Sequence, residues 1–190
     1  CTNYDSLSSS FKNFKPDAVI HFAEMPSAPL SMLGDSEGWM TLKNNLQSTY
    51  NLISIIKKYN ANCHIIKLGT MGEYGTPNID IEEGWINIRH KNRKDKFLFP
   101  RQGSSLYHMS KIMDTDLIWF YVRNYGLNVT DLMQGPVYGI YYDDKHKNDE
   151  LVPTFTYDDI FGTVLNRFIV QAVVGTPLTV YGSGSQTRGY

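Results

Sequence analysis

A tyrosine and a lysine stand four residues apart, Tyr107 and Lys111, in a segment whose pattern predicts a helix over residues 104–125. At this spacing both side chains project from one helix face. An ammonium beside a phenol favours the phenolate and lowers its pKa from an ordinary value of about 10. Such a phenol could accept a proton from a sugar hydroxyl while hydride leaves for an oxidised nicotinamide. The pair therefore indicates hydride-transfer chemistry, although the same spacing also occurs by chance in many helices.

A threonine at the end of a predicted strand strengthens this interpretation. Thr70 follows the apolar run CHIIKLG, residues 63–69, which is typical of a buried strand. In open α/β sheets ligands bind at the carboxyl ends of the strands, so Thr70 could hydrogen-bond the same sugar hydroxyl. Residues 21–24 and 134–136 end two other predicted strands. Each of these strand ends alone is a weak sign of a ligand site, because glycine is common in the turns that follow strands.

Strands and helices alternate along the chain, which predicts parallel βαβ units and an α/β fold. The predicted strands cover residues 17–23, 63–69, 128–133 and 177–182, and the predicted helices cover residues 6–14, 35–59, 104–125 and 162–174. Residues 81–99 instead predict a β-hairpin outside the main sheet. Its basic tip, KNRKDK, is more typical of a solvated turn than of a binding patch.

Composition excludes several classes of protein. The 190 residues suffice for one domain or part of a larger one, and 18 Lys plus Arg against 19 Asp plus Glu leave a net charge of -1. This balance argues against a nucleic-acid partner, and no apolar run or signal pattern predicts a membrane partner. Cys1 and Cys63 are too few for a disulfide framework and too isolated for a metal site, which suggests a reduced compartment. Because the chain opens on Cys1 and stops after a glycine-rich turn, we expect a piece of a longer protein.

Together these motifs resemble the extended short-chain dehydrogenases/reductases, the nucleotide-sugar epimerase/dehydratase family. The resemblance rests on the threonine after a strand, Tyr-x-x-x-Lys on the next helix and PVYG after the next strand. It extends over VIHFAEMPSAPLSM, HIIKLGTMGEYGTPNIDIEEG, SSLYHMSK and FGTVLNRFIVQAVVGTPLTVYGSGSQTRGY. It implies a Rossmann-like doubly wound parallel sheet that lacks its first βα units. Residues 1–150 would complete an NAD-binding domain, and residues 151–190 would begin a smaller, truncated UDP-sugar-binding portion.

Within the family, the longer segments resemble members that join sulfite to UDP-glucose through a 4-keto sugar, with NAD as a recycled cofactor. The resemblance also implies a homodimer, located in the cytoplasm or in the plastid stroma. Pro26 and Met133 stand where those members carry arginine and asparagine. Another NAD-dependent UDP-hexose 4-epimerase or 4,6-dehydratase therefore stays open as an alternative. So does a non-catalytic nucleotide-sensing, scaffold or RNA-binding module.

The resemblance also implies catalytic roles. Tyr107 would take the proton of the sugar hydroxyl at carbon 4, while Lys111 would tune Tyr107 and hold the nicotinamide ribose. Thr70 would bind that hydroxyl and later the ketone oxygen. Glu73 and His108 are candidates for acid/base work at carbons 5 and 6. Their alternatives are a surface or capping carboxylate for Glu73 and a local hydrogen-bonding partner for His108.

Binding residues are implied in the same way. NAD would contact His21, Phe22, Ala23, Asn45, Gly69, Tyr107, Lys111 and Gln134. The sugar nucleotide would contact Thr70, Met71, Gln134, Thr163, Arg167, Tyr181 and Arg188, with Arg188 at the diphosphate and Tyr181 near uracil. A solvated arginine and an aromatic plug are the alternatives for the last two. The glycine fingerprint that cradles the pyrophosphate is absent from this sequence, so we expect the piece alone to bind NAD poorly and to be inactive.

Overall fold

Two compact units make up the chain, Cys1–Met133 and Gln134–Tyr190. The computed structural model describes residues 1–138, 154–185 and 187. The predicted domain boundary at residue 150 lies outside the described residues, so it stays a prediction. Within these ranges, no helix has the length and apolar character that crossing a bilayer requires.

The helices and strands alternate largely as the sequence predicts. In chain order they are α1 (Tyr4–Phe14), β1 (Ala18–His21), α2 (Asp35–Tyr59), β2 (His64–Thr70), β3 (Trp85–His90), β4 (Arg93–Leu98), α3 (Leu106–Tyr125), β5 (Val129–Gln134) and α4 (Val164–Val174). Single turns of 3-10 helix follow β1 and β2, at Leu30–Met32 and Met71–Tyr74.

The main sheet has the strand order β1-β2-β5. β1 and β2 are parallel, with Ala18 opposite His64 and His21 opposite Lys67. Helices connect the strands, which confirms the predicted α/β fold. Because the carboxyl ends of parallel strands meet at one edge, the residues after His21 and Thr70 lie at the same edge of the sheet.

The core lies between the sheet and helices α2 and α3. Ile53, Ile55 and Ile56 of α2 are fully buried, and they pack with Ile65 of β2 and Ile118 of α3. The apolar positions of α2 recur at helical spacing, which is why this long helix turns one face to the sheet. The same packing holds α3, the helix that carries Tyr107 and Lys111, against the strand that carries Thr70.

The predicted hairpin over residues 81–99 is confirmed as a separate two-stranded sheet. β3 and β4 pair antiparallel, from Trp85 opposite Leu98 to His90 opposite Arg93. The base of the hairpin is fixed by Trp85, whose ring centroid lies 4.9 Å from that of Trp119 on α3. Residues 91–96, the basic tip, are exposed, as a solvated turn would be.

The prediction of a strand over residues 177–182 is wrong. The segment has no regular secondary structure and no strand pairs with it among the described residues. A side chain of α4 takes the place of a neighbouring strand, because the Thr179 amide donates to Gln171 Oε1 at 3.0 Å. Gln171 Nε2 donates in return to Thr179 Oγ1 at 2.9 Å. Apolar alternation in a short run does not specify a strand without a partner edge.

Truncating the core face of α2 tests the described packing. Ile55→Ala leaves a cavity in a fully buried position, so we expect the free energy of unfolding to fall by about 2 to 5 kcal/mol. Lys43→Ala, at an exposed position of the same helix, should change it by less than about 0.5 kcal/mol. Urea unfolding followed by circular dichroism measures both. Equal losses in the two variants would contradict the assignment of the buried face.

Candidate active site

The turn after β2 places Thr70 at the edge of the sheet. Thr70 Oγ1 accepts a hydrogen bond from the Gly72 amide at 3.1 Å and so caps the short 3-10 turn. A Cβ at Gly72 would overlap the His108 ring, so only glycine lets the turn lie this close to α3. The threonine turn, residues 70–74, is therefore packed directly against the first turn of α3.

The first turn of α3 is held by two serine hydroxyls. Ser105 caps the helix by accepting from the His108 amide at 3.1 Å. The Tyr107 amide donates to Ser31 Oγ at 3.0 Å, which ties the helix start to the segment after β1. Tyr107 and Lys111 share one helix face as predicted, with Lys111 Nζ 5.8 Å from the centroid of the phenol ring.

The Lys111 ammonium is committed to partners other than the phenol. Lys111 Nζ donates to the Leu68 carbonyl at 2.6 Å and forms an ion pair with Glu24 Oε2. Both side chains are almost fully buried, at 5% and 3% exposure. The other oxygen of Glu24, Oε1, lies 3.4 Å from His21 Nε2. Glu24 therefore neutralises Lys111 inside the protein.

The pKa of Tyr107 is raised, not lowered. Burial of the half-buried phenol is the largest cause, and the carboxylates of Glu24 and Glu73 add to it by repelling a phenolate. The prediction that Lys111 acidifies Tyr107 is therefore wrong for this chain without a ligand. The reason is that the charge of Lys111 is offset by Glu24, whose own charge opposes ionisation of the phenol.

Glu73 is not a surface carboxylate, because it is fully buried, and its oxygens are bonded to side chains rather than to the amides of a helix end. Its Oε1 accepts from Lys67 Nζ at 3.2 Å. Its Oε2 lies 3.1 Å from Thr115 Oγ1 and 3.6 Å from Arg101 Nε. Burial is the main cause that raises the pKa of Glu73, against the opposing charge of Lys67. This setting holds the threonine turn in place and removes Glu73 from direct solvent contact.

His108 lies against the threonine turn. Its Nδ1 lies 3.2 Å from Ser104 Oγ and 3.1 Å from Ser105 Oγ, while its ring covers Gly72. These contacts match the predicted alternative of a local hydrogen-bonding partner. They also place the imidazole beside Gly72, two positions after Thr70.

Two predicted cofactor residues have their polar groups occupied within the protein. His21 is buried, its Nε2 lies 3.0 Å from Thr49 Oγ1, and burial is the main cause that lowers its pKa. Asn45 is buried, accepts from the Met25 amide at 2.8 Å and donates to Ser110 Oγ at 2.9 Å. Asn45 thus joins the segment after β1 to both α2 and α3. Both side chains therefore lie in the interior of the unit rather than at its surface.

The other predicted residues of the sheet edge are more accessible. Phe22 is 70% exposed directly after β1. Ala23, Met71 and Gln134 are partly exposed. Gly69 lies so close to Asp131 and Met133 that a Cβ would come within 3.0 Å of the Met133 sulfur, so the close approach of β2 and β5 requires glycine there.

The predicted nucleotide residues of the second unit form a group of their own. Arg167 lies over the Tyr181 ring, 5.2 Å from its centroid, and its Nη1 is 3.6 Å from Asp159 Oδ1. Thr163 caps α4 by accepting from the Asn166 amide at 3.2 Å. Arg188 lies outside the described residues.

A family model matches the entire chain. The NAD dependent epimerase/dehydratase family covers residues 1–190. The chain belongs to this family. The predicted family is therefore confirmed, and with it NAD as the cofactor on which the family depends.

Curated relatives of the epimerase/dehydratase family align with nearly the whole length of the chain. It is 52% identical to the chloroplastic UDP-sulfoquinovose synthase of Spinacia oleracea over 99% of this chain and 39% of the relative. It is 44% identical to the UDP-sulfoquinovose synthase of Sulfolobus acidocaldarius over 100% of this chain and 48% of the relative. The chain thus spans less than half the length of either relative.

A solved member of the epimerase family has the same fold. The UDP-glucose 4-epimerase of Thermotoga maritima, solved with UDP-glucose, superposes with a TM-score of 0.68 at 20% identity over 96% of this chain and 50% of that one. This likeness confirms the predicted Rossmann-like fold.

The residues at the sheet edge fit an NAD cofactor of this epimerase/dehydratase family only in part. Tyr107 presents a half-buried phenol that suits a ribose hydroxyl, and Phe22 presents an exposed ring. The Lys111 ammonium, by contrast, is engaged by Leu68 and Glu24. His21 and Asn45 use their polar groups internally. No group of three or more His, Cys, Asp or Glu side chains in the described part of the chain could hold a metal ion.

Sequence reasoning missed the buried charges beneath the epimerase/dehydratase site. Lys67 lies in the apolar run of β2, and Asp114 lies three residues after Lys111 on α3. Both are completely buried. A lysine inside a continuous apolar strand was the available signal, since such a residue is almost never buried without partners.

Asp114 gives the stability of this family member a pH dependence. Burial, followed by repulsion from Glu24, raises its pKa to about 8, against the attraction of Lys67 and Lys111. The unfolded carboxyl ionises near the ordinary value of about 4. Between these values the folded state holds a proton that the unfolded state has lost. The free energy of unfolding therefore falls as the pH rises through this window.

Asp114→Asn should remove that fall. The amide imitates the protonated acid, so the variant and the parent should have similar stability near pH 4, where the fall begins. At pH 8 the variant should be more stable by about 1 to 3 kcal/mol, since one pKa unit corresponds to about 1.4 kcal/mol. Chemical unfolding at both pH values measures the difference, with the exposed Asp95→Asn as the control. A variant that is equally destabilised at both pH values would contradict this assignment.

Proposed function

We propose that this chain forms part of a UDP-sulfoquinovose synthase, which converts UDP-glucose and sulfite into UDP-sulfoquinovose and water. The observation that carries the proposal is the 52% and 44% identity to two proteins of that name from a plant and an archaeon, over at least 99% of this chain. The setting of Thr70, Tyr107 and Lys111 at one sheet edge supports it, because sugar oxidation needs a hydrogen-bond donor, a proton acceptor and a cation together.

In the proposed reaction the chain supplies the proton chemistry at carbon 4. Thr70 binds the sugar hydroxyl, and the Tyr107 phenolate accepts its proton. NAD, when bound, would supply the hydride acceptor and donor, and its oxidised ring would carry a positive charge. That charge would offset Glu24, whose carboxylate raises the pKa of Tyr107 in the chain alone. Lys111 would then be available to stabilise the phenolate and hold the ribose.

The ketone at carbon 4 acidifies the hydrogen on carbon 5. Removal of that proton lets the hydroxyl on carbon 6 take up a proton and leave as water, which gives an enone. The sulfur of sulfite then bonds to carbon 6 while carbon 5 regains a proton. We propose His108 for a proton transfer in these steps, because its ring lies against the threonine turn. Glu73 stays a second candidate, although its carboxylate is buried and engaged by Lys67. In that case Glu73 would have to exchange protons through a rearranged turn.

Sugar-nucleotide binding and assembly are part of the same proposal. Arg167 and Tyr181 would meet the nucleotide, together with Arg188, because a stacked arginine and aromatic ring suit a diphosphate and a base. A homodimer is supported by large apolar side chains exposed on α2 and α3, among them Trp39, Met40, Met113 and Phe120. The spinach relative is named chloroplastic, which supports a plastid location if the source is photosynthetic and a cytoplasmic one otherwise.

A UDP-hexose 4-epimerase or 4,6-dehydratase is the alternative function. It shares the oxidation at carbon 4 and differs in the later steps of the reaction. Pro26 and Met133 favour it, since neither side chain can bind an anion as arginine does or donate a hydrogen bond as asparagine does. A non-catalytic scaffold is the third hypothesis, and it gives no reason to keep Thr70, Tyr107 and Lys111 together.

Labelled sulfite separates these functions. The full-length protein, incubated with UDP-glucose, NAD and radiolabelled sulfite, should place label in a nucleotide sugar. Tyr107→Phe removes the proton acceptor and should lower the rate about 100-fold or more, while Tyr4→Phe on the distant helix α1 should keep the parental rate. Unlabelled UDP-galactose or a 4-keto-6-deoxy sugar as the product would support the alternative enzyme. No turnover at all, with NAD bound, would favour the scaffold.

A further inference from the structure

Lys67 lies at the junction of the two elements that carry the reacting residues. It belongs to β2, three residues before Thr70, and its side chain is completely buried. Its ammonium donates to Glu73 Oε1 at 3.2 Å, within the threonine turn. It also donates to the Lys111 carbonyl at 3.1 Å and to Thr115 Oγ1 at 2.6 Å, both on α3. One ammonium thus bonds the threonine turn to the helix of Tyr107 and Lys111.

These three bonds use the whole donor capacity of the ammonium, because a lysine has three N–H groups. The three bonds lead to acceptors on three different groups, whereas the N–H groups of a planar guanidinium all lie in one plane. An arginine in the same place would present a planar fork at the end of a longer side chain and could not reproduce this arrangement. The geometry therefore requires a lysine rather than just a positive charge.

The surrounding charges balance that ammonium. Asp131 Oδ1 of β5 lies 3.4 Å from Lys67 Nζ, and Asp131 Oδ2 accepts from Thr115 Oγ1 at 2.7 Å. Arg101 Nε lies 3.6 Å from the second carboxylate oxygen of Glu73, Oε2. Burial lowers the pKa of Lys67, but the carboxylates of Asp131 and Glu73 outweigh burial and raise it, so the ammonium stays charged. Arg101 is also paired with Asp116, whose Oδ1 lies 2.8 Å from Arg101 Nη1, so both cations of this group have carboxylate partners.

We propose that Lys67 is a positioning residue that fixes the distance between the threonine turn and the face of α3 bearing Tyr107 and Lys111. Its single ammonium hydrogen-bonds to both the turn and the backbone of α3 at Lys111. A buried ammonium costs free energy unless it is paired, and replacing a whole buried ion pair by apolar residues is often neutral for stability. The presence of a lysine here is therefore better explained by geometry than by stability.

A charge-neutral double variant tests the proposal in the full-length protein. Lys67→Met with Asp131→Asn removes one cation and one carboxylate while keeping similar side-chain volumes, so it leaves no added net charge in the interior. Lys94→Met with Asp95→Asn makes the same two changes at exposed positions of β4 and is the matched control. Lys67→Arg keeps the charge and changes only the geometry.

The first measurement is hydrogen exchange, which does not depend on any activity. The amides of Gly72, Gly75 and Gln102 report on the turn, because they donate to Thr70 Oγ1, the Gly72 carbonyl and the Glu73 carbonyl. We expect their exchange to accelerate about 10-fold or more in the double variant and in Lys67→Arg, with the core amides of α2 unchanged. The second measurement rests on the proposed function: kcat should fall about 100-fold, with KM for UDP-glucose within about threefold.

Folded variants that keep both the exchange rates and kcat within about threefold of the control would overturn the proposal. Failure of both Lys67 variants to fold would overturn it too, because Lys67 would then be required by the whole unit rather than by the turn. If the parent protein turns over no sulfite, the proposed function fails. The exchange rates still decide the role of Lys67 in that case.

Discussion

Two buried ammonium groups determine how the candidate site is built. Lys67 and Lys111 leave water at the junction of β2 and α3, where an unpaired cation would cost several kcal/mol. Each is paired inside the protein, Lys67 with Glu73 and Asp131 and Lys111 with Glu24. The carboxylates that satisfy the lysines come from β5 and from the segments that follow β1 and β2. The two lysines are therefore neutralised only when the three strands lie in their observed alignment.

This constraint decides the chemistry of Tyr107. Lysines do acidify a phenol in this chain, but at Tyr59, where the Ser8 hydroxyl and the ammonium groups of Lys12 and Lys58 lower the pKa to about 8. No carboxylate is among the causes of the shift at Tyr59, and its lysines face the phenol. At Tyr107 the cation is neutralised by Glu24, and burial favours the neutral phenol. Spacing on a helix therefore brings two groups together without setting the sign of the pKa shift.

Much of the fold could be predicted from the sequence, because the signals were local and strong. The apolar spacing of α2, the Gly126 that ends α3 in a left-handed conformation and the apolar run of β2 each specify an element alone. The absence of a strand over residues 177–182 could not be predicted, since a strand depends on a partner edge that a short local pattern does not reveal. The family and its cofactor followed from motifs that extend over nearly all 190 residues.

The placement of the candidate residues could be predicted more closely than their electrostatics. Thr70, Tyr107 and Lys111 do lie on neighbouring elements, and α3 packs on the turn that follows β2. The pairing of Glu24 with Lys111 and the buried setting of Glu73 required coordinates, because they depend on which side chains meet across elements. The most direct measurement is the ionisation of Tyr107 in the chain without NAD, followed by NMR of tyrosine labelled at ring carbon ζ and assigned with Tyr107→Phe. The phenol should stay protonated at pH values where exposed tyrosines have already ionised, and a Tyr107 phenolate near neutral pH would contradict the account.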